Sequence, residues 1–202
     1  MAVISGGTTL INNGALDSGV ATGNLILLST QTASNSSSIS FTSGIDSTYD
    51  SYIFKFVDIK SVTDGVEFGF QGSTNGGSSY GITTTVSYYN AYHNEGDSAT
   101  SIGYRTSEDQ ASETDYQSFQ INYANGSDES GCGFLQLFNP SSTTFIKHFI
   151  SRSSNYHNAD YAIDCFFGGY FHTTSSAVNA IDFKMSSGNI STGTIKMYGV
   201  SS

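Results

Sequence analysis

Tryptophan is absent from this 202-residue chain, proline occurs once, and only 12% of the residues are charged. Each scarcity excludes something. Without tryptophan, a sugar-cleaving cleft would have to stack its substrate on tyrosine alone. With one proline, at Pro140, there is no Pro-rich linker. A charged fraction of 12% and a hydrophobic fraction of 37% compare with roughly 25% and 45 to 50% in ordinary globular chains. The polar surface must therefore be built from Ser, Thr, Asn and Gly rather than from ion pairs. Seven basic residues against seventeen acidic ones leave a net charge of −10. Nucleic acid is held chiefly by Lys and Arg on phosphates, so no nucleic-acid partner is expected. Adhesion to an anionic membrane is disfavoured by the same charge, and no apolar run approaches the roughly 20 residues that span a bilayer. The opening Met1-Ala-Val-Ile-Ser-Gly-Gly has neither a basic n-region nor an apolar h-region. No signal peptide is expected, and synthesis in a cytosol follows.

The equipment of catalysis is equally sparse. His93, His148, His157 and His172 have none of the short spacings of a zinc site, and His148 and His172 read as structural histidines within strands. There is no Gly-x-Ser-x-Gly elbow, no phosphate-cradling loop followed by Lys, and no Asp-rich calcium loop. Glu67 and the Glu108-Asp109 pair are the only carboxylates worth weighing for glycoside hydrolysis, and nothing in sequence sets their separation. No enzyme, cofactor or metal is expected. Two cysteines, Cys132 and Cys165, lie 33 positions apart on expected strands. They read as free, buried thiols acting as small hydrophobes, a disulfide being the alternative if their strands are neighbours.

What is present is a β pattern. The chain is organised around Gly131 to Arg152, where two apolar runs, Phe134 to Phe138 and Phe145 to Ile150, flank Asn139-Pro140-Ser141-Ser142. Proline fixes one dihedral, and Asn and Ser satisfy a turn's own backbone, so this is a β-hairpin. Apolar groups at Phe134, Leu135, Leu137 and Phe138 occupy both faces, which places the hairpin centrally. In Tyr52 to Ile59, the residues Tyr52, Phe54 and Phe56 share one face, and Ile53, Lys55, Val57 and Ile59 the other. Beyond the Thr63-Asp64-Gly65 turn, Val66, Phe68 and Phe70 face the core while Glu67, Gly69 and Gln71 face water. Further strands are expected at Leu25 to Thr32, Ser38 to Phe41, Ile82 to Tyr92, Phe119 to Tyr123, Tyr161 to Phe171, Ala180 to Met185 and Thr194 to Val200. About eleven or twelve strands with frequent turn signals and no helical pattern indicate an all-β antiparallel two-sheet sandwich, jelly-roll-like in order. For Tyr88, Tyr89 and Tyr92, with Tyr104, the plainer reading is that half of each aromatic strand faces the core; the alternative is an exposed recognition patch, which in a tail adhesin would bind a host surface glycan.

Residues 1 to 24 carry only scattered apolar side chains, Val3, Ile4, Leu10, Ile11 and Leu16, too few for a core. An arm anchoring residues 25 to 202 to a partner accounts for them, and a disordered leader is the alternative.

A set of motifs runs along nearly the whole chain: Met1-Ala-Val-Ile-Ser-Gly-Gly-Thr-Thr, Ser29-Thr-Gln-Thr-Ala-Ser, Ile39-Ser-Phe-Thr-Ser-Gly-Ile-Asp-Ser-Thr-Tyr, Ala91-Tyr-His, Leu137-Phe-Asn-Pro-Ser-Ser-Thr-Thr, Lys147-His-Phe, Gly169-Tyr-Phe, and Phe183-Lys-Met-Ser-Ser-Gly-Asn-Ile through Gly-Thr-Ile-Lys-Met-Tyr-Gly199. Together they resemble a family of small virion proteins of marine tailed bacteriophages, including those that infect cyanobacteria and abundant ocean bacteria. The resemblance implies a structural role in the particle and brings no catalytic residues with it. The expected function is a non-enzymatic head decoration or cement protein, homotrimeric, located in the virion with the major capsid protein or tail proteins as partners. A short tail fibre or tail-tip adhesin is the alternative, and a free carbohydrate-binding module a third reading.

Overall fold

The structure is a computed structural model that describes residues 25–200 together with Val3–Ser5, Thr8–Asn12 and Ala15–Leu16. Those three short segments, β1, β2 and β3, pair with one another as an antiparallel sheet in the order β1-β2-β3, with Ile4 opposite Thr9 and Ile11 opposite Leu16. Val3, Ile4, Leu10, Ile11 and Leu16 all lie on these strands. Ile4 is exposed; the side-chain surroundings of the other four lie outside what is described.

The body contains thirteen strands and, among the described residues, no helix. They are β4 (Leu25–Ser36), β5 (Ile39–Phe41), β6 (Ser51–Ser61), β7 (Val66–Ser73), β8 (Thr84–Asn94), β9 (Thr100–Tyr104), β10 (Gln110–Glu113), β11 (Gln117–Tyr123), β12 (Gly131–Phe138), β13 (Lys147–His157), β14 (Tyr161–Phe171), β15 (Ala180–Met185) and β16 (Ile190–Val200). Every pairing is antiparallel, so the all-β antiparallel class holds. One limb runs β4-β16-β6-β12-β13-β14-β8, with β9 and β10 both on β8; the other runs β11-β7-β15-β5. A single residue pair, Tyr123 with His157, joins β11 to β13 and makes the two limbs one nearly closed, barrel-like sheet.

The expected hairpin is β12 and β13, in unbroken register from Gly131 opposite Asn155 to Leu137 opposite Phe149. Its turn is closed by the Ser142 amide donating to the Asn139 carbonyl at 3.1 Å, with Asn139 in the left-handed region at φ 44°. The hairpin is central, but only one face of β12 is core. Leu135 and Leu137 are fully buried, while Phe134 and Phe138 are half-buried on the barrel's outside and Cys132 is exposed. Close approach accounts for Gly133, where a Cβ would sit 2.6 Å from the Arg152 carbonyl oxygen and 2.7 Å from the Phe56 ring.

Phenylalanine fills the interior. Phe119 of β11 lies 4.7 Å from Phe70, 4.9 Å from Phe56 and 5.4 Å from Phe68, ring centre to ring centre, and 5.9 Å from both Phe167 and Phe183. The alternation of Tyr52, Phe54 and Phe56 inward and Lys55 outward is as the sequence indicates. Ile59 is a correction, because Asp58 adopts φ 52° and the β12–β6 register slips between Gly131 and Gly133. That bulge turns Ile59 into the core. Gln71 is a second correction. It is 1% exposed, and the two protons of its Nε2 are shared among the carbonyls of Ile82, Thr114 and Asp115 at 3.2, 3.1 and 2.9 Å. The segment preceding β11 covers this side of β7, so the face expected to be wet is closed. Gly69 is buried there as well.

Phe68 touches Phe56, Phe119, Tyr123 and Phe183 and is fully buried. Phe68→Ala is expected to destabilise the protein by about 3 to 5 kcal/mol. A chemical denaturation midpoint unchanged from wild type would show that this ring is not part of the packed interior.

Candidate functional site

Strand pairing assembles one feature that no contiguous stretch reveals. Lys196, Lys55, Phe134, Arg152, Phe166, Tyr89 and Tyr104 stand opposite one another in succession across β16, β6, β12, β13, β14, β8 and β9. They form a lateral row of cations and aromatics on the outside of the barrel. Tyr89 stacks on Phe166 with ring centres 5.4 Å apart and planes 6° from parallel, and meets Tyr104 edge-on at 5.1 Å. Arg152 chelates Asp164, with Nη2 to Oδ2 at 2.7 Å and Nε to Oδ1 at 3.0 Å; this hydrogen bonding raises the guanidinium pKa further. The Tyr104 hydroxyl donates to Asp109 Oδ2 at 2.6 Å, which raises its own pKa.

Of the three tyrosines named for a receptor patch, only Tyr89 belongs to this row. Tyr88 is a correction: it is fully buried, donates from its hydroxyl to the Phe119 carbonyl at 3.2 Å, and burial drives its pKa far above the usual phenol value. Successive residues of a strand point to opposite faces, so Tyr88 and Tyr89 cannot share a surface. Tyr92 is half-buried against Tyr161, 5.4 Å away.

No family model, curated protein or solved structure matches the chain. Any functional reading therefore rests on its own residues.

Of the two histidines expected within strands, His148 lies on β13 and His172 does not lie on a strand. Both are exposed, on either side of Tyr170 at 5.9 and 6.3 Å, and His172 lies beyond the end of β14. Among the described residues no three His, Cys, Asp or Glu side chains converge as a metal site would require. Cys165 is buried and Cys132 exposed, and both are free. Cys165 stands opposite Ser153, and Cys132 opposite the next residue, Ser154. The two thiols thus point to opposite faces with a strand between them, which rules out a bridge.

The weakly indicated carboxylates are brought together in part. Glu67 on β7 and Glu108, in the loop between β9 and β10, are both half-buried. Burial raises the pKa of each, and the charge of Glu108 raises Glu67 further. Gln117 holds the loop down, its Nε2 donating to the Glu108 carbonyl at 3.0 Å. Asp109 turns the other way, to Tyr104. Two buried polar centres escaped the sequence reading. Asp182, 3% exposed, accepts from the Ser40 hydroxyl at 2.5 Å and the Tyr116 hydroxyl at 2.8 Å, while Lys184 Nζ lies 4.0 Å from the centre of the Tyr116 ring. Lys147 is fully buried, donates to the Thr173 carbonyl at 2.7 Å, and has its pKa lowered by burial. A lone charge inside an apolar run, Ala180-Ile-Asp-Phe or Phe145-Ile-Lys-His-Phe, is the signal that marks both.

A carboxyl whose folded pKa is raised binds protons more readily in the folded than in the unfolded chain. The Glu67–Glu108 contribution is therefore most favourable below the ordinary value of 4.5 and is lost as pH rises through the folded values. Glu108→Gln should raise the melting temperature at pH 7, with the difference from wild type vanishing in acid. Thermal melts across this pH range check it, and a variant less stable than wild type at pH 7 would contradict it.

Proposed function

We propose that this chain is a non-enzymatic structural protein of a bacteriophage particle, a decoration or cement protein on the exterior of the head. The observation that carries the reading is the two-part layout. A barrel packed with phenylalanine begins at Leu25, and ahead of it in the chain comes a separately hydrogen-bonded three-stranded sheet bearing Val3, Ile4, Leu10, Ile11 and Leu16. Such a layout suits an ornament with an attachment segment, the major capsid protein being the partner and a homotrimer the working unit. The resemblance of its motifs to those of marine-phage virion proteins is in keeping with it. So is the net charge of −10, which would keep neighbouring particles apart. In this reading the two limbs of the barrel correspond to the sheets of a jelly-roll-like sandwich, fused at one corner. A tail fibre or tail-tip adhesin is the second reading, favoured by the exposed row through Phe166, Tyr89 and Tyr104.

Copy number and position in intact particles test both. Quantitative gel densitometry with labelled-antibody imaging is expected to find hundreds of copies spread over the head. A few copies at the tail would replace the first reading with the second, and absence from particles would end both. Deleting residues 1 to 24 should leave the barrel's melting transition in place while abolishing incorporation. Unfolding of the truncated protein would instead make that segment part of the core.

A further inference from the structure

The larger limb of the barrel ends in two strand edges of opposite charge. Its strands run β4-β16-β6-β12-β13-β14-β8-β9. At one end β4, β16 and β6 carry Lys55, Lys60 and Lys196 against Asp58 alone. At the other, the chain from Glu95 to Asp115, which supplies β9, β10 and their loops, carries Glu95, Asp97, Glu108, Asp109, Glu113 and Asp115 against Arg105 alone. Among the described residues none of the three lysines has an ion-pair partner. Lys55 and Lys196 also face each other across the β16–β6 ladder, an arrangement that repels within the copy.

Both edges are open and partly apolar. Among the described residues β4 is paired only with β16 and β9 only with β8. Leu25 and Leu27 on β4 are each 52% exposed, and Ile102 on β9 is 71% exposed. Natural proteins blunt such an edge with charge or proline, because its backbone groups are a template for another chain. Neither β4 nor β9 contains a charged residue or a proline.

Charge and strand direction together select the occupant. Two β4 edges brought together by a two-fold axis would set lysine against lysine, and two β9 edges acid against acid, which complementary interfaces avoid. The β9 edge of one copy against the β4 edge of the next sets acid against lysine. The levels agree along the strands. Lys196 stands level with Tyr104 through Lys55, Phe134, Arg152, Phe166 and Tyr89, and Tyr104 holds Asp109 at 2.6 Å. Every ladder in this run of eight strands is antiparallel, so β4 and β9 point in opposite directions. Joining them therefore continues the antiparallel order from one copy to the next.

We propose that the β9 edge of one copy docks head to tail on the β4 edge of a second copy, with the Tyr104–Asp109 pair beside Lys196. A head-to-tail contact either closes into a ring or runs on as a filament. Three copies close it in the homotrimer proposed above, the reading on which this inference rests. Size-exclusion chromatography with light scattering, on the full chain at micromolar concentration, tests it. Wild type is expected at three chain masses. Lys196→Glu, and separately Lys55→Glu at an exposed position, should each bring it to one. Neither should lower the melting temperature, since each replaces a like-charge pair within the copy by an opposite one. Asp109→Lys should also give one chain mass, and Lys196→Glu with Asp109→Lys in the same chain should restore three, a recovery that a two-fold contact between like edges would not show. Wild type at one or two chain masses overturns the inference. Lysine variants that stay at three, or a combined variant that does not recover, overturn this interface and leave the homotrimer standing. Copy number in particles is scored separately, so a monomer that still covers the head would end the ring without ending the decoration role.

Discussion

The barrel depends on how its two limbs are closed against each other along β11. This strand has a ladder on one edge only, to β7, and even that ladder slips twice, between Ser118 and Gln120 and between Gln120 and Tyr123. On its other edge a single pair reaches β13. Carbonyls left open there are taken up by side chains from the opposite limb. Phe119 accepts from Tyr88 and from Ser153, the latter at 2.7 Å, and Ile121 accepts from Asn155 at 3.2 Å. Each buried carbonyl left unpaired would cost about 1 to 3 kcal/mol. Three neutral side chains therefore do at this seam what a backbone ladder does elsewhere. They also set the position of the Phe119 ring, which meets Phe56 and Phe167 from one limb and Phe68, Phe70 and Phe183 from the other. Hydrogen-bond closure and aromatic packing are one event, because the residue whose carbonyl is capped carries the ring at the centre of the core.

Local pattern made much of this legible. Period-two alternation places Phe54, Phe56, Phe68 and Phe70 inside, and the Asn139-Pro140 turn identifies the hairpin that sits at the centre of the larger limb. Legibility stops where partners far apart in sequence decide the outcome. Ile59 turns inward because Asp58 bulges against β12, some seventy residues away. Gln71 is dry because Thr114 and Asp115 lie over it. The Tyr88-Tyr89-Tyr92 cluster looked like one surface because it is contiguous, yet alternation separates Tyr88 from Tyr89. The surface that exists instead joins residues from Lys55 to Lys196. Its members become neighbours only through strand register, which is a property of the whole sheet. For the same reason the opposed charges of the β4 and β9 edges carried no mark in the sequence: only the strand order puts Lys196 beside one edge and Asp109 beside the other.

Charge plays a different part from packing. Among the described residues one ion pair, Arg152 with Asp164, is present beside a His93–Asp97 contact that is ionic only with a protonated imidazole, and both are on the surface, where such pairs contribute roughly 0 to 1 kcal/mol. Of the seven basic residues, Lys147 is enclosed, Arg152 is neutralised by Asp164, and Lys184 lies against Tyr116. Lys55 and Lys196 stand directly opposite each other, a placement that opposes pairing. The fold is consequently held by ring packing and neutral hydrogen bonds, neither of which salt screens appreciably. The excess of acid acts outward, on whatever the protein approaches. A chain built this way separates its internal stability from its external field, so its surface acids can vary with the partner or medium while the Phe119-centred interior stays as it is.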